Sequence, residues 1–175
     1  MTPIDITDGV VLLSAPTSGD VDRITHLCQD ADVARWTTVP SPYRRTDAEG
    51  FLVEEADPGW ADGTAATWGV REPSTGVLCG TVRVDLVADA EIGFWIGAPS
   101  RGRGWATRAA RLACASAFAH GVDHVRWKAI VGNEASLRVA SKVGFRLEGT
   151  VRRLIVQRGE WRDGWIGTLL PHELR

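Results

Sequence analysis

The segment Arg101-Gly102-Arg103-Gly104-Trp105-Ala106 concentrates the chemistry of this 175-residue chain. It follows an apolar, strand-like run and opens an alanine-rich, helix-like one. That order brings free backbone N–H groups and the positive end of a helix dipole to one place, which suits an anion. Gly102 and Gly104 remove the Cβ atoms that would hold a phosphate off the backbone, and Arg101 and Arg103 add charge. A plain solvated helix start is the alternative. The loop is neither a P-loop nor a dinucleotide fingerprint, because Gly-Lys-Ser/Thr and the third glycine are missing.

Glu91 can deprotonate an ammonium through water, or serve as a structural carboxylate paired with an arginine. Ser136 can bond a carbonyl inside its own helix, a common use of serine near a helix start. Asn133 reads as the N-cap of that helix. Arg138 and Lys142 stand four apart on one helical face, to meet a phosphate or to be solvated, and Arg152-Arg153 is open in the same way. The four histidines show no metal spacing and no serine or cysteine partner, so no metal site is expected. Three scattered cysteines, Cys28, Cys79 and Cys114, argue against disulfides.

The elements that must position these groups follow from periodicity. Val10–Leu13 reads as a buried strand, Ser18–Gln29 as a helix and Asp32–Thr37 as a short one, stopped by Pro40 and Pro42. Thr46 with Glu49 has the form of a capping box for a helix ending near Asp57-Pro58-Gly59. From Thr64 the period becomes that of strands, giving a hairpin, Ala66–Arg71 and Val77–Leu86, and then Ala90–Ile96. A helix runs from Gly104 to His120 with Trp105, Ala109, Leu112 and Ser116 on its buried stripe. A strand over Val125–Val131, a short helix after Asn133 ending at Gly144, and strands over Leu147–Gln157 and Trp165–Leu170 complete the chain. Consecutive antiparallel strands before the turn argue against a doubly wound nucleotide-binding fold.

These blocks resemble the GNAT superfamily of N-acetyltransferases. The family's acetyl-CoA signature, Arg/Gln-x-x-Gly-x-Gly/Ala, is matched by Arg101, Gly104 and Ala106. Asn133-Glu134-Ala135-Ser136 through Val143-Gly144-Phe145 looks like its Asn-x-x-Ser helix, and Glu91–Ile96 like its fourth strand. The resemblance implies an α/β (α+β) fold with a mixed, mostly antiparallel sheet of about seven strands, flanked by helices and splayed between strands four and five. It also implies acetyl-CoA as cosubstrate, with no metal, and direct attack of an amine in a ternary complex. Backbone around Phe94, Trp95 and Ile96 would take the thioester and pantetheine, and residues 101–107, including Trp105 and Thr107, the pyrophosphate. Asn133, Ser136 and Lys142 would meet the rest of CoA.

The nearest branch is the Rim type, which acetylates protein N-termini. Its proposed thiolate-protonating serine falls on Ser136. The tyrosine that other members use for that task corresponds to Ala140, and the branch's glutamate base to Ile155, so the base does not carry over. Trp36, Tyr43, Trp60 and Trp105 lie in segments that the fold would place toward the acceptor cleft or its entrance, as pocket walls or, by default for such residues, as core. Those two departures motivate a competing reading, a CoA-binding or dimerising module without catalysis.

Composition sets the frame. The apolar share is 44%, the charged share 24% and the formal net charge -2, so residues 1–175 are expected to form one globular domain without a nucleic-acid-attracting field. No segment approaches a membrane span or a signal peptide, and a reducing, cytoplasmic home is expected. A homodimer is permitted by exposed sheet edges and by Trp161 and Trp165.

Overall fold

The computed structural model describes residues 1–87 and 89–175. Among the described residues eight strands form one sheet: β1 (Ile6–Thr7), β2 (Leu12–Ser14), β3 (Ala65–Arg71), β4 (Leu78–Asp85), β5 (Glu91–Ile96), β6 (Val125–Ile130), β7 (Arg146–Gln157) and β8 (Glu160–Leu169). Their order is β1-β2-β3-β4-β5-β6-β8-β7, and every neighbouring pair is antiparallel except β5 with β6. The expected mixed sheet is present. Its extra strand, β1, is two residues long and held only by pairing with β2, too short for any periodicity to reveal.

Helices α1 (Val21–Leu27), α2 (Ala31–Trp36), α3 (Arg45–Gly50) and α4 (Asp57–Asp62) precede β3, while α5 (Trp105–Ala119) and α6 (Glu134–Val143) flank β6. No helix among the described residues is long and apolar enough to cross a membrane.

α5 lays Ala109, Ala110, Ala113, Cys114 and Ala117 on a core that includes Trp68, Val82, Ile92 and Trp127, all buried. Small side chains let the helix approach the sheet closely. Leu112 and Ser116, expected on the buried stripe, are only half-buried: the buried face instead runs through steps of four from Trp105 to Ala117. A second cluster, with Ile24, Leu27, Val33, Tyr43 and Leu52, joins the first three helices to Leu78 of β4.

The helical run after Arg44 differs from expectation at both ends. Its N-terminal cap lies two residues earlier, with the Arg44 N–H donating to Asp47 Oδ2 at 2.6 Å. It also passes through a π-helical turn, Phe51–Ala56, and continues beyond Pro58 to Asp62. Pro58 falls in the first turn of α4, where a missing N–H is tolerated. Gly63, at φ 68°, ends the run.

Two features shape the site. β5 and β6 pair only through Glu91 with Arg126 and Ile92 with Trp127, so they diverge from Gly93 onward. The β6-facing backbone of the rest of β5 therefore has no strand partner. The second feature is the β7–β8 ribbon, which begins β8 five residues before the expected Trp165. Its polar start is exposed on both faces, so no alternation marked it. A bulge across Val151 to Ile155, where the Arg153 N–H donates to Asp163 Oδ1 at 2.9 Å, bends the ribbon. Its tip is tied to the last turn of α2 and the chain after it: Gln157 Nε2 donates to Arg35 O at 2.9 Å and Thr37 O at 2.7 Å, and Arg158 to Val39 O at 3.0 Å.

Candidate active site

A cleft of about 1060 Å³ opens where β5 and β6 part, bounded by α2, α3, the start of α5, α6 and the bent ribbon. Gly102 and Gly104 both take positive φ, 78° and 76°, and a Cβ at either would meet nothing within 4 Å. Gly104 is the N-cap of α5, and among the described residues no side chain bonds the free N–H groups of its first turn. Gly104, Trp105, Ala106 and Thr107 line the cleft there. The result is an open anion cradle with backbone donors and a helix dipole behind it.

The arginines of that turn behave differently from the sequence expectation. Arg101 Nε donates to Ile96 O at 3.0 Å, and its Nη1 lies 3.2 Å from both Asp30 Oδ2 and Asp32 Oδ2. Its guanidinium therefore braces the loop against α2 and is neutralised there. Burial opposes ionisation of Asp30, yet the Asp32 N–H and Arg101 together hold its carboxyl below the usual range. Arg103 is not on the cleft wall at all; it reaches toward Glu72, at 3.9 Å, and stacks over the Trp105 ring at 5.3 Å. Free positive charge comes from α6 instead. Arg138 and Lys142 both line the cleft, and neither has a carboxylate within 4.0 Å among the described residues.

Phe94, Trp95 and Ile96 line the cleft on the splayed stretch of β5, as expected. Asn133 caps α6 by accepting the Ser136 N–H at Oδ1, 3.1 Å, and both residues face the same volume. Ser136 Oγ accepts a hydrogen bond from Trp127 Nε1 at 3.0 Å and makes no back-bond to its own helix. Glu91 also reaches the cleft, but its partner is a lysine, not an arginine: Lys128 Nζ lies 2.5 Å from its Oε2. Register explains this, since β6 runs parallel beside β5 and Lys128 follows Arg126 on the same face.

Of the expected pocket walls, Trp36 and Tyr43 line the cleft. Trp36 also packs across the turn before α6, so that a Cβ at Gly132 would touch its ring at 3.6 Å. Burial, with Cys28, Asp47 and Glu55 nearby, pushes the Tyr43 hydroxyl above its ordinary value, so it stays protonated. Trp60 is a correction. It is 3% exposed, donates Nε1 to Thr67 O at 2.9 Å and meets Trp68 edge-on with centroids 5.0 Å apart. Packing of α4 on β3 turns that ring into the core. Trp105 lines the cleft but is only 6% exposed and packs in the main core.

Sequence reasoning missed Thr81, Glu54, Glu55, Trp127 and Lys128, all on the cleft wall. Their signal is the side of a strand or π turn that they occupy, which requires register. Ile155 lines the cleft as an apolar wall, while Ala140 is buried in the core. Cys28 is also on the wall, but burial pushes its thiol up to about 12, which keeps it from being a nucleophile.

Comparison with known proteins gives the family and the fold. The chain is 36% identical over 103 residues to a Bacillus subtilis (strain 168) protein provisionally named ribosomal N-acetyltransferase YdaF, a match covering 56% of each chain. It thus spans about half the length of that relative. Among solved structures, RimJ of Mycobacterium smegmatis in complex with CoA-disulfide shares the fold at TM-score 0.83 and 21% identity, covering 99% of this chain and 88% of that one. A ribosomal-protein-S5-alanine acetyltransferase of Vibrio fischeri matches at TM-score 0.83 and 17% identity, covering 98% and 99%. The profile of the acetyltransferase (GNAT) domain matches residues 11–146, a stretch that holds the splayed strands, the Gly104 cradle and the Asn133–Phe145 block, and by it the chain belongs to the GNAT acetyltransferase domain family.

Proposed function

We propose that the protein, acting as one unit over residues 1–175, transfers an acetyl group from acetyl-CoA to a primary amine by direct attack in a ternary complex. The observation that carries this reading is the uncapped start of α5 beside the splayed end of β5 in one cleft. Residues and ligand are matched in chemistry: the open cradle at Gly102 and Gly104 suits a pyrophosphate, Arg138 and Lys142 suit further phosphate, and the unpaired edge of β5 suits an amide-bearing arm. Acetyl-CoA supplies an activated thioester carbonyl. The N–H groups of the β5 edge would oppose charge growing on its oxygen, a contribution of about 2.7–4 kcal/mol per donor in well-studied acyl transfer.

Ser136 is the proton donor of this reading and Glu91 the candidate base, its carboxylate paired with Lys128. Holding two reactants in place can lower a barrier by roughly 7–11 kcal/mol, which makes an apolar Ile155 tolerable where relatives of the branch carry a base. Asp47, Glu54 and Glu55 on the acceptor side suit an incoming ammonium, whether a protein N-terminus or a small-molecule amine. Likeness to the named ribosomal-protein acetyltransferases favours the N-terminus, within the Rim-type branch. Three free cysteines, all buried, accord with a reducing cytoplasm, and exposed Leu147, Val151, Val156 and Trp161 on the β7–β8 ribbon accord with a homodimer.

Calorimetric titration with acetyl-CoA, combined with thiol release over a panel of amines and N-terminal peptides, tests the proposal. Binding with turnover is expected. Binding without turnover on any amine points to the non-catalytic CoA-binding module, and no binding removes both readings. Glu91→Gln should flatten the acidic limb of the rate profile; an unchanged profile removes the base assignment.

A further inference from the structure

Trp127 lies on β6 at the last residue that pairs with β5, is 1% exposed, and donates its Nε1–H to Ser136 Oγ at 3.0 Å. An indole N–H can only donate. A hydroxyl that accepts it has one lone pair filled and keeps its own proton for another acceptor. The usual acceptor for a helical serine is the carbonyl four residues back, and Ser141 on the same helix follows that rule, with Oγ donating to Leu137 O at 2.9 Å. Ser136 Oγ has no such acceptor among the described residues, and Ser136 faces the cleft.

We infer that Trp127 is a positioning residue, whose indole N–H sets the Ser136 hydroxyl as a donor into the cleft toward the sulfur of CoA. This rests on the acetyl-transfer reading above. The amine nitrogen forms its bond to the thioester carbonyl carbon, and the carbon–sulfur bond breaks with its electron pair going to sulfur. Ser136 gives its proton to that sulfur and regains the proton shed by the nitrogen as it becomes an amide. Products are the acetylated amine and free CoA thiol. Ser136 is the third residue of α6, so no helix carbonyl lies four residues behind it, and without the Trp127 donor nothing among the described residues fixes the rotation of its hydroxyl toward the sulfur.

The test is a cycle of Trp127→Phe, Ser136→Ala and the double variant, each checked by thermal melting. Ser136→Ala is expected to lower kcat about a hundredfold, within the range for general acids. Trp127→Phe should lower kcat about fivefold to tenfold, the worth of one directing hydrogen bond, with KM for acetyl-CoA unchanged within about twofold. The double variant should be no slower than Ser136→Ala alone. A second readout uses free CoA: its affinity should rise between about pH 7 and about pH 9 as the bound thiolate accepts from Ser136, and both single variants should lose that rise.

If Trp127→Phe slows the double variant as much as it slows the wild type, Trp127 acts only through packing and the inference falls. Should Trp127→Phe melt early, benzothienylalanine at position 127 keeps the bicyclic shape without the N–H, and the same outcomes apply. A Ser136→Ala protein at full rate overturns the acid role and the positioning with it. If the wild type releases no thiol from any amine, the transfer reading fails, and the CoA titration alone decides the Trp127–Ser136 pairing.

Discussion

Replacing Gly104 by alanine separates the anion cradle from the fold, because the chain contains a matched control. Gly104 and Gly63 sit in nearly the same left-handed conformation, φ 76° with ψ 6° and φ 68° with ψ 20°, and at neither would an added Cβ touch anything within 4 Å. Strain alone should therefore cost the same at both, about 1–2 kcal/mol for a non-glycine residue in that region. For a chain of this length, that lowers the melting temperature by about 2–4 °C per kcal/mol.

Only Gly104 opens the helix whose bare N–H groups line the cleft; Gly63 closes α4 away from it. On the proposed reading, a methyl group at Gly104 would take space that a phosphate oxygen needs and displace it from at least one charge-assisted N–H bond. Such a bond contributes about 1.5–3 kcal/mol, so acetyl-CoA should bind roughly tenfold to a hundredfold more weakly to Gly104→Ala, and within about twofold of wild type to Gly63→Ala. Melting curves and calorimetric titrations on the two variants make the comparison. If both melt lower by similar amounts and both keep wild-type affinity, the start of α5 does not hold the anion and the reasoning above is wrong.

The double substitution Arg138→Ala with Lys142→Ala should raise the Kd for acetyl-CoA about fivefold to thirtyfold, from about 0.5–1 kcal/mol per exposed charge, and the effect should shrink as salt rises. Trp60→Phe should lower the melting temperature through the lost bond to Thr67 O and edge contact with Trp68, with KM for both substrates unchanged; a raised acceptor KM would return Trp60 to the pocket wall. The ion pair of Asp20 with Arg71, 2.7 Å apart and mostly buried, should make stability depend on acid pH. Burial opposes ionisation of Asp20, but Arg71 and the Thr17 N–H outweigh it and hold its pKa below the usual carboxylate range. Its contribution is therefore complete above about pH 4, the unfolded value, and lost as pH falls through the lower folded value. Denaturant melts of wild type and Asp20→Asn across that window should converge at low pH; parallel curves would remove Asp20 as the cause.

Local chemistry was enough to read the glycine turn and the helix starts that line the cleft. Gly102 and Gly104 tolerate positive φ, Asn133 accepts an N–H at the start of α6, and Ala-rich α5 fits closely on a sheet; each is a property of a few neighbouring residues, readable wherever the chain goes. The antiparallel hairpin, the splay after Ile92 and the closing ribbon followed the same logic or the family's pattern.

What tertiary structure alone decided is which way side chains point and with whom they pair. Arg101 was spent on Asp30 and Asp32 because α2 folds back over the loop, and Arg103 left the cleft for Glu72 and Trp105, while Arg138 and Lys142 kept their charge free. Trp60 looked like a pocket wall until α4 was laid on β3. Glu91 met Lys128, and Trp127 met Ser136, across strand and helix boundaries that no local periodicity spans. Contacts between residues distant in sequence depend on register and crossing geometry, and a one-residue shift in register reverses the face each strand residue occupies.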